Sequence, residues 1–416
     1  MKKQFIRSES LYHKLIVLAC LLVLCVSIGI TSNASGVFVV PICEDLGYSR
    51  ASVGLISTIL MLASAVSAAF GGIVYKKISI MNLYRVSVII LGVSFTLYSA
   101  CQELYQFYIL SAIVGIVEPY AVSFPFTQII NNWYYERTGT AMGLASMGTG
   151  IGGMVFGYLC GRWVTSIGWR MTYLVLGLTM LVVLISMGIF ILREKPEEVG
   201  MKPFGVKKQE VVSDEPSLSF AKYKTSPIFI FMCLAMLAQG AGSQALISIQ
   251  TPNLQSVGYT AAAAATVLAI SNGALAACKF GIGVLIDKLG IRRSTYISVL
   301  VMMGGLTIYM LAGQRFLIPA VVLFMGVACS FTMVGFPIIV RNVYGTKEYT
   351  SFYGLTTSCN SIGAALMPTF SGVVYDKTDS YVLFFAIMIG VVATCLITYT
   401  VMFRKRAQVP EMKPVS

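Results

Sequence analysis

Residues 71–77, GGIVYKK, come back 212 positions later as residues 283–290, GVLIDKLG. Three more matches follow in the same order at an offset of 211 or 212. SFPF at 123–126 meets GFPI at 335–338, GLASMGTGIGG at 143–153 meets GLTTSCNSIGA at 354–364, and Gly161 meets Gly372. Ordered matches at one spacing mark an internal duplication. Whatever one copy folds into, the chain does twice.

Composition says what kind of copy it is. Of the 416 residues 57% are hydrophobic and only 11% are charged, and mean hydropathy is +0.80. A soluble chain is about one quarter charged. The reading is an all-α membrane protein. About 20 apolar residues cross a bilayer as one helix. On that length the chain divides into spans at 15–41, 51–74, 84–101, 104–130, 139–162, 171–192, 225–249, 260–284, 294–314, 316–340, 350–374 and 380–403. The charge-free run 225–278 is too long for one helix, and TPNLQSVGYT at 251–260, with Pro252 and Gly258, divides it. The expectation is twelve transmembrane helices in two six-helix pseudo-repeats: residues 1–192, a central loop 193–224, residues 225–403 and a tail 404–416.

An even number of spans puts both termini on one side, and Lys and Arg choose which. With the termini inside, inner segments hold 24 of the 30 Lys and Arg residues, outer loops hold five, and Lys279 lies within a span. Both termini are therefore expected to be cytoplasmic, in the cell membrane. The net charge of +13 is explained by orientation, with no nucleic acid needed. The first apolar stretch is too long for a cleaved signal core. The ten cysteines lie mostly inside apolar segments and form no CxxC pair, which implies no metal site. Cys43, Cys101 and Cys160 fall near segment ends on one side, so a bridge among them stays open. Asn33-Ala34-Ser35 matches a glycosylation pattern but lies within a span.

Parallel repeats of six spans have the architecture of alternating-access transporters. The segment GVLIDKLGIRR, 283–293, resembles the signature between the second and third helices of each half in the major facilitator superfamily. Asp287, Lys288, Gly290 and Arg292 fit it, and the resemblance implies a cytoplasmic gate at Asp287, Arg292 and Arg293. The first copy has Tyr75 where the aspartate would stand. SGVFVVPICEDLGYSRASVGLIST (35–58), NNWYYERTGTAMGLASMGTGIGG (131–153) and KPEEVGMKPFG (195–205) resemble the monocarboxylate porter and oxalate/formate antiporter branches. Those branches imply a small organic anion carried with a proton or exchanged for a counter-anion. They also use a cation in the eighth span to engage the anion. Their further cations in the first or eleventh span are missing here, where Cys359, Asn360 and Ser361 stand. That weighs against a dicarboxylate.

Two charged residues lie well inside spans. Glu118 is at the middle of the fourth span, followed by Pro119, which frees a backbone carbonyl and suggests a break. A carboxylate at the bilayer centre costs roughly 2.5–3.5 kcal/mol on insertion scales. Lys279 lies seven residues beyond Asn272, the midpoint of the eighth span, or about 10 Å along a helix. Ser271, Asn272 and Lys279 share one face. The functional reading gives Glu118 a proton-coupling role and Lys279 the substrate charge. Asn272, Gln239, Tyr120 and Asn360 are further substrate-binding candidates, and Ser243, Gln244, Ser123 and Tyr353 add to a moderately polar cavity. In the bland reading Glu118 is a neutral acid bonded between helices, Lys279 snorkels to the interface, and the glycines crowding 143–157 serve helix packing.

The leading function is a secondary transporter of a small organic anion, working as a monomer. A proton-driven exporter of drugs or amphipathic cations is the alternative, with Glu118 as its cation site. A non-transporting sensor would need an output domain, and the 13 residues after 403 argue against one. No nucleophile motif, phosphate loop or metal cluster points to an enzyme or a cofactor.

Overall fold

The computed structural model describes residues 2–205, 218–248, 250, 253, 254, 258, 261–310 and 318–407. Most of the TPNLQSVGYT break, the middle of the central loop, Arg315 and the last nine residues lie outside these. The chain forms two compact units, Met1–Val211 and Val212–Ser416.

The first unit contains α1 (Lys2–Ile28), α2 (Val39–Leu46), α3 (Arg50–Ala69), α4 (Gly71–Tyr75), α5 (Ile80–Leu97), α6 (Leu104–Glu118), α7 (Phe124–Trp133) and α8 (Thr138–Ser186). The second contains α9 (Phe220–Tyr223), α10 (Pro227–Ser248), α11 (Ala261–Leu289), α12 (Ile291–Met310), α13 (Ile318–Tyr344), α14 (Tyr349–Thr378) and α15 (Val382–Ala407). Nine helical stretches among the described residues are long and apolar enough to cross a membrane. Their outward faces carry large exposed side chains such as Val66, Ile109, Val182 and Ile397, which suit lipid.

Local chemistry places the ends. Ser49 caps α3 by accepting from the Ser52 amide at 3.1 Å, and Ser79 does the same for Asn82 at the start of α5. Gln106 Oε1 accepts from the amides of Gln102 and Glu103 and closes the start of α6. Inside α8 the backbone turns at Gly168, at φ 81°, a conformation open to glycine at little cost. Gly290, at φ 78°, turns the chain between α11 and α12.

The duplication reappears in the packing. In the first unit α1 lies along α8, and α3 along α6; in the second, α10 lies along α14, and α11 along α13. Glycines set the closest approaches. A Cβ on Gly148 would stand 2.1 Å from the Leu21 carbonyl oxygen, and one on Gly152 2.1 Å from that of Cys25. Gly363 would meet the Leu237 carbonyl at the same distance. Backbones that touch in this way are the device by which small residues join membrane helices.

At one end of the first unit, residues 193–205 fold back onto α1 and α7. Phe204 donates its amide to the Trp133 carbonyl at 2.8 Å and accepts from Tyr135 at 3.0 Å. The Trp133 indole donates to the Arg193 carbonyl and the Asn132 amide to that of Glu194. His13 is buried, with Nε2 3.0 Å from the Lys202 carbonyl, and packs edge-on to Trp133 and Phe204. A carbonyl only accepts, so that nitrogen carries the proton. At the other end, Asp45 accepts from Arg170 at 3.3 Å and from the Trp169 indole at 3.2 Å. All ten cysteines are free, and Cys101 donates to the Leu97 carbonyl.

Candidate functional site

Glu118 ends α6, and Pro119 opens a π-helical turn, Pro119–Ser123, before α7 resumes at Phe124. Proline cannot donate the next ladder bond, and the widened turn is how the backbone absorbs it. The break is a π-bulge and the helix runs on. π-bulges recur at functional positions in helices.

The bulge faces α3. A Cβ on Gly115 would stand 2.4 Å from the Leu60 carbonyl oxygen, so the two backbones touch just above Glu118. The Ser64 side chain hydrogen-bonds to the Glu118 carboxyl. Ser67 Oγ donates to the Ile116 carbonyl at 2.6 Å, and the Tyr120 hydroxyl donates to the Ser67 carbonyl at 2.9 Å. A Cβ on Gly71 would collide with the Phe124 ring, and Tyr75 packs edge-on against Tyr120 and Phe124. Ser64, Ser67, Gly71 and Tyr75 recur at helical spacing and form one stripe. Their positions follow i, i+3, i+7, i+11 along α3 and α4. Tyr120 spends its hydroxyl within the seam. Glu118 is half-buried.

Lys279 lies on α11 with only 4% of its surface exposed. Its Nζ is 3.6 Å from the Met333 sulfur of α13, and it interacts electrostatically with the Cys329 thiol one turn away. The same turn of α13 reaches α10: Thr332 and Ser243 hydroxyls are 3.2 Å apart, and Cys329 donates to the Ser243 carbonyl. So α13 joins Lys279 to the polar stripe of α10. Gln239, one turn before Ser243, is fully buried, and neither end of its amide has a partner among the described residues. Buried polar groups are nearly always bonded, so this amide is a ready contact for something polar.

The other candidates are dispersed. Asn272 is half-buried on α11, below Ser271, which accepts from the Gln250 amide at 2.7 Å. Asn360 is half-buried on α14 and donates to the Met236 carbonyl at 3.2 Å. Asp287, Arg292 and Arg293 are exposed around the Gly290 turn. Glu118 and Tyr120 belong to the first unit; Lys279, Asn272, Gln239 and Asn360 belong to the second. No group of three or more His, Cys, Asp or Glu side chains that could hold a metal occurs among the described residues.

Two repeated all-helical units, clothed in lipid-facing side chains and each with an ionisable group at a helix seam, define a multi-pass membrane transporter. Comparison with known proteins gives the family. The family model of the Major Facilitator Superfamily matches residues 19–315 and again 232–415. The chain belongs to that superfamily: it is a transporter and not an enzyme. It is 21% identical over 71% of its length to an uncharacterized MFS-type transporter, YhjX of Escherichia coli (strain K12), covering 72% of that protein. It is 24% identical over 45% of its length to the MFS-type transporter pynF of Aspergillus niger, covering 44% of it. Among solved structures, it overlays on the proton:xylose symporter XylE at a TM-score of 0.70 and 13% identity, covering 95% of this chain and 96% of that one. The human organic anion transporter MFSD10 overlays at a TM-score of 0.70 and 12% identity, covering 95% and 99%. At such identities the likeness concerns the fold.

Proposed function

We infer that this transporter moves a small organic anion, a monocarboxylate, across the cell membrane by alternating access. It has twelve spans with both termini cytoplasmic, acts as a monomer, and couples to a proton or a counter-anion. The observation that carries the reading is Lys279. A lysine costs about 2.5–3.5 kcal/mol at a span centre on insertion scales, and Met or Leu would fill the space beside Met333 without that cost. A cation kept at 4% exposure is kept for its charge. An anionic substrate is the simplest ligand to use it, with the Gln239 amide, Asn272 and Asn360 supplying neutral contacts. One fixed cation suits one carboxylate, which favours a monocarboxylate over a dicarboxylate. Glu118, beside Ser64 at the π-bulge, supplies the proton-exchanging group. Asp287, Arg292 and Arg293 form the gate.

The test is uptake of labelled formate, acetate, lactate, pyruvate and oxalate into proteoliposomes, for wild type and Lys279→Ala. Uptake of one monocarboxylate that the substitution abolishes supports the reading. Failure of every acid, with transport of an amphipathic cation that depends on Glu118 and ignores Lys279, moves the protein to the exporter class.

A further inference from the structure

The mechanism above leaves one pair of reactive groups unused. Cys233 on α10 and Cys359 on α14 are 126 positions apart in sequence, yet their thiols are close enough to interact. The packing around them explains the meeting. One turn further along both helices, a Cβ on Gly363 would stand 2.1 Å from the Leu237 carbonyl oxygen. Asn360 donates to the Met236 carbonyl across the same seam, and a Cβ on Gly240 would stand 2.0 Å from the Asn360 carbonyl oxygen. Two backbones in contact at one turn leave side chains at the neighbouring turn facing each other at short range.

The first unit shows what the seam looks like without the pair. By the repeat offset, Cys233 corresponds to Leu21 and Cys359 to Gly148. There the glycine lets the Leu21 backbone press directly on α8, with 2.1 Å to a Cβ that is not present. The second unit has exchanged that backbone contact for two facing sulfurs. Other buried thiols are spent on main-chain carbonyls: Cys329 on Ser243, Cys395 on Ala235, Cys101 on Leu97. Cys233 and Cys359 have each other. Both are half-buried, so a small neutral molecule has access to them.

We propose that Cys233 and Cys359 form a dithiol site that a hydroperoxide oxidises to a disulfide, stapling α10 to α14. The chemistry balances in two steps. One sulfur attacks the peroxide oxygen–oxygen bond, giving a sulfenic acid and releasing water from hydrogen peroxide, or an alcohol from an organic hydroperoxide. The second sulfur then displaces the hydroxyl of the sulfenic acid, closing the sulfur–sulfur bond and releasing water. Two electrons pass from the two thiols to one peroxide, and a thiol reductant reverses the product. A disulfide asks for Cβ atoms about 3.5–4.5 Å apart, which facing side chains beside a backbone contact can reach. Among the described residues α10 and α14 carry one cysteine each, and the nearby Cys395 of α15 is bonded to the Ala235 carbonyl.

The experiment uses the full chain in lipid nanodiscs, reduced, treated with hydrogen peroxide, blocked with N-ethylmaleimide and digested without reduction. The expected result is a linked peptide joining Cys233 to Cys359, with both thiols lost to the maleimide together, in most molecules, and both restored by reductant. Cys233→Ala and Cys359→Ser should each abolish the linked peptide, and in the variant that keeps the attacking sulfur dimedone should trap its sulfenic acid. The wild-type digest alone is decisive if either variant fails to fold. Full alkylation of both thiols after peroxide, links from either to another cysteine, or separate over-oxidation of each would overturn the proposal.

Discussion

The α3–α6 seam of the first unit and the α11–α13 seam of the second are equivalents in the repeat, and they carry opposite chemistry. In the first, an acid sits among hydroxyls: Glu118 beside Ser64, with Ser67 and Tyr120 bonded to main-chain carbonyls across the seam. In the second, a base sits among sulfurs: Lys279 beside Met333 and Cys329. The repeat offset places Ser330 at the position of Glu118 and Ser67 at that of Lys279. Ser330 donates to the Leu275 carbonyl of α11 at 3.4 Å, as Ser67 donates to Ile116 across its own seam. The scaffold therefore uses a serine-to-carbonyl interlock in both halves. Each half departs from it once, at a different turn, by adding one ionisable group. The symmetric part is packing; the asymmetric part is the candidate chemistry.

Exchanging the ionisable groups one at a time should separate their roles. Lys279→Met keeps the volume and suits the thioether beside it. It should reduce anion uptake by 100-fold or more, about 2.7 kcal/mol or above, with the folded yield unchanged in size-exclusion profiles. Retained uptake would make the two seams alike, both structural. Glu118→Gln should act on the driving force: uptake should cease to respond to an inward proton gradient while exchange of labelled for unlabelled acid continues.

The packing half of the comparison is tested next. Gly152→Ala places a Cβ 2.1 Å from a carbonyl oxygen of α1 and should destabilise the protein by about 1–3 kcal/mol. Gly157→Ala meets nothing within 4 Å and should leave the melting temperature in place. Equal behaviour of the two, followed by tryptophan fluorescence in detergent, would contradict the backbone-contact account.

The smallest effect concerns Glu194, outside the membrane at the end of the folded-back segment. Burial holds its carboxyl above the usual range, with Lys195 opposing and Glu198 adding to the shift. The folded protein thus keeps this proton to a higher pH than the unfolded chain does. Its contribution is most favourable in acid and weakens as pH rises from the ordinary carboxylate range through the raised value. Glu194→Gln should remove that slope, leaving stability in acid unchanged and raising the melting temperature at pH 8 by about one or two degrees. A variant with the wild-type slope would place the pH dependence elsewhere.

Particular residues show how far the sequence could be read. The duplication, the apolar helices and the break at Pro119 were legible because each leaves a local mark: a repeat, a charge-free run, a missing amide. The break took the form of a π-bulge, since neighbouring helices keep the backbone paired where an isolated helix would bend. Tyr120 was expected to face substrate; its hydroxyl is bonded to Ser67 instead. Ser64 and Met333, the partners of the two ionisable groups, carried no signal, because a serine or methionine in an apolar span reads as filler. Cys233 and Cys359 meet across 126 residues, and only the register of two helices brings them together.

The most direct test of the account is a single proteoliposome experiment on wild type, Lys279→Ala and Glu118→Gln, measuring uptake of labelled small acids with and without an inward proton gradient. The account predicts that wild type accumulates one monocarboxylate. Lys279→Ala should bind and move none, while Glu118→Gln should equilibrate it without responding to the gradient. Gradient-driven accumulation that survives both substitutions would contradict the assignment of opposite roles to the two halves.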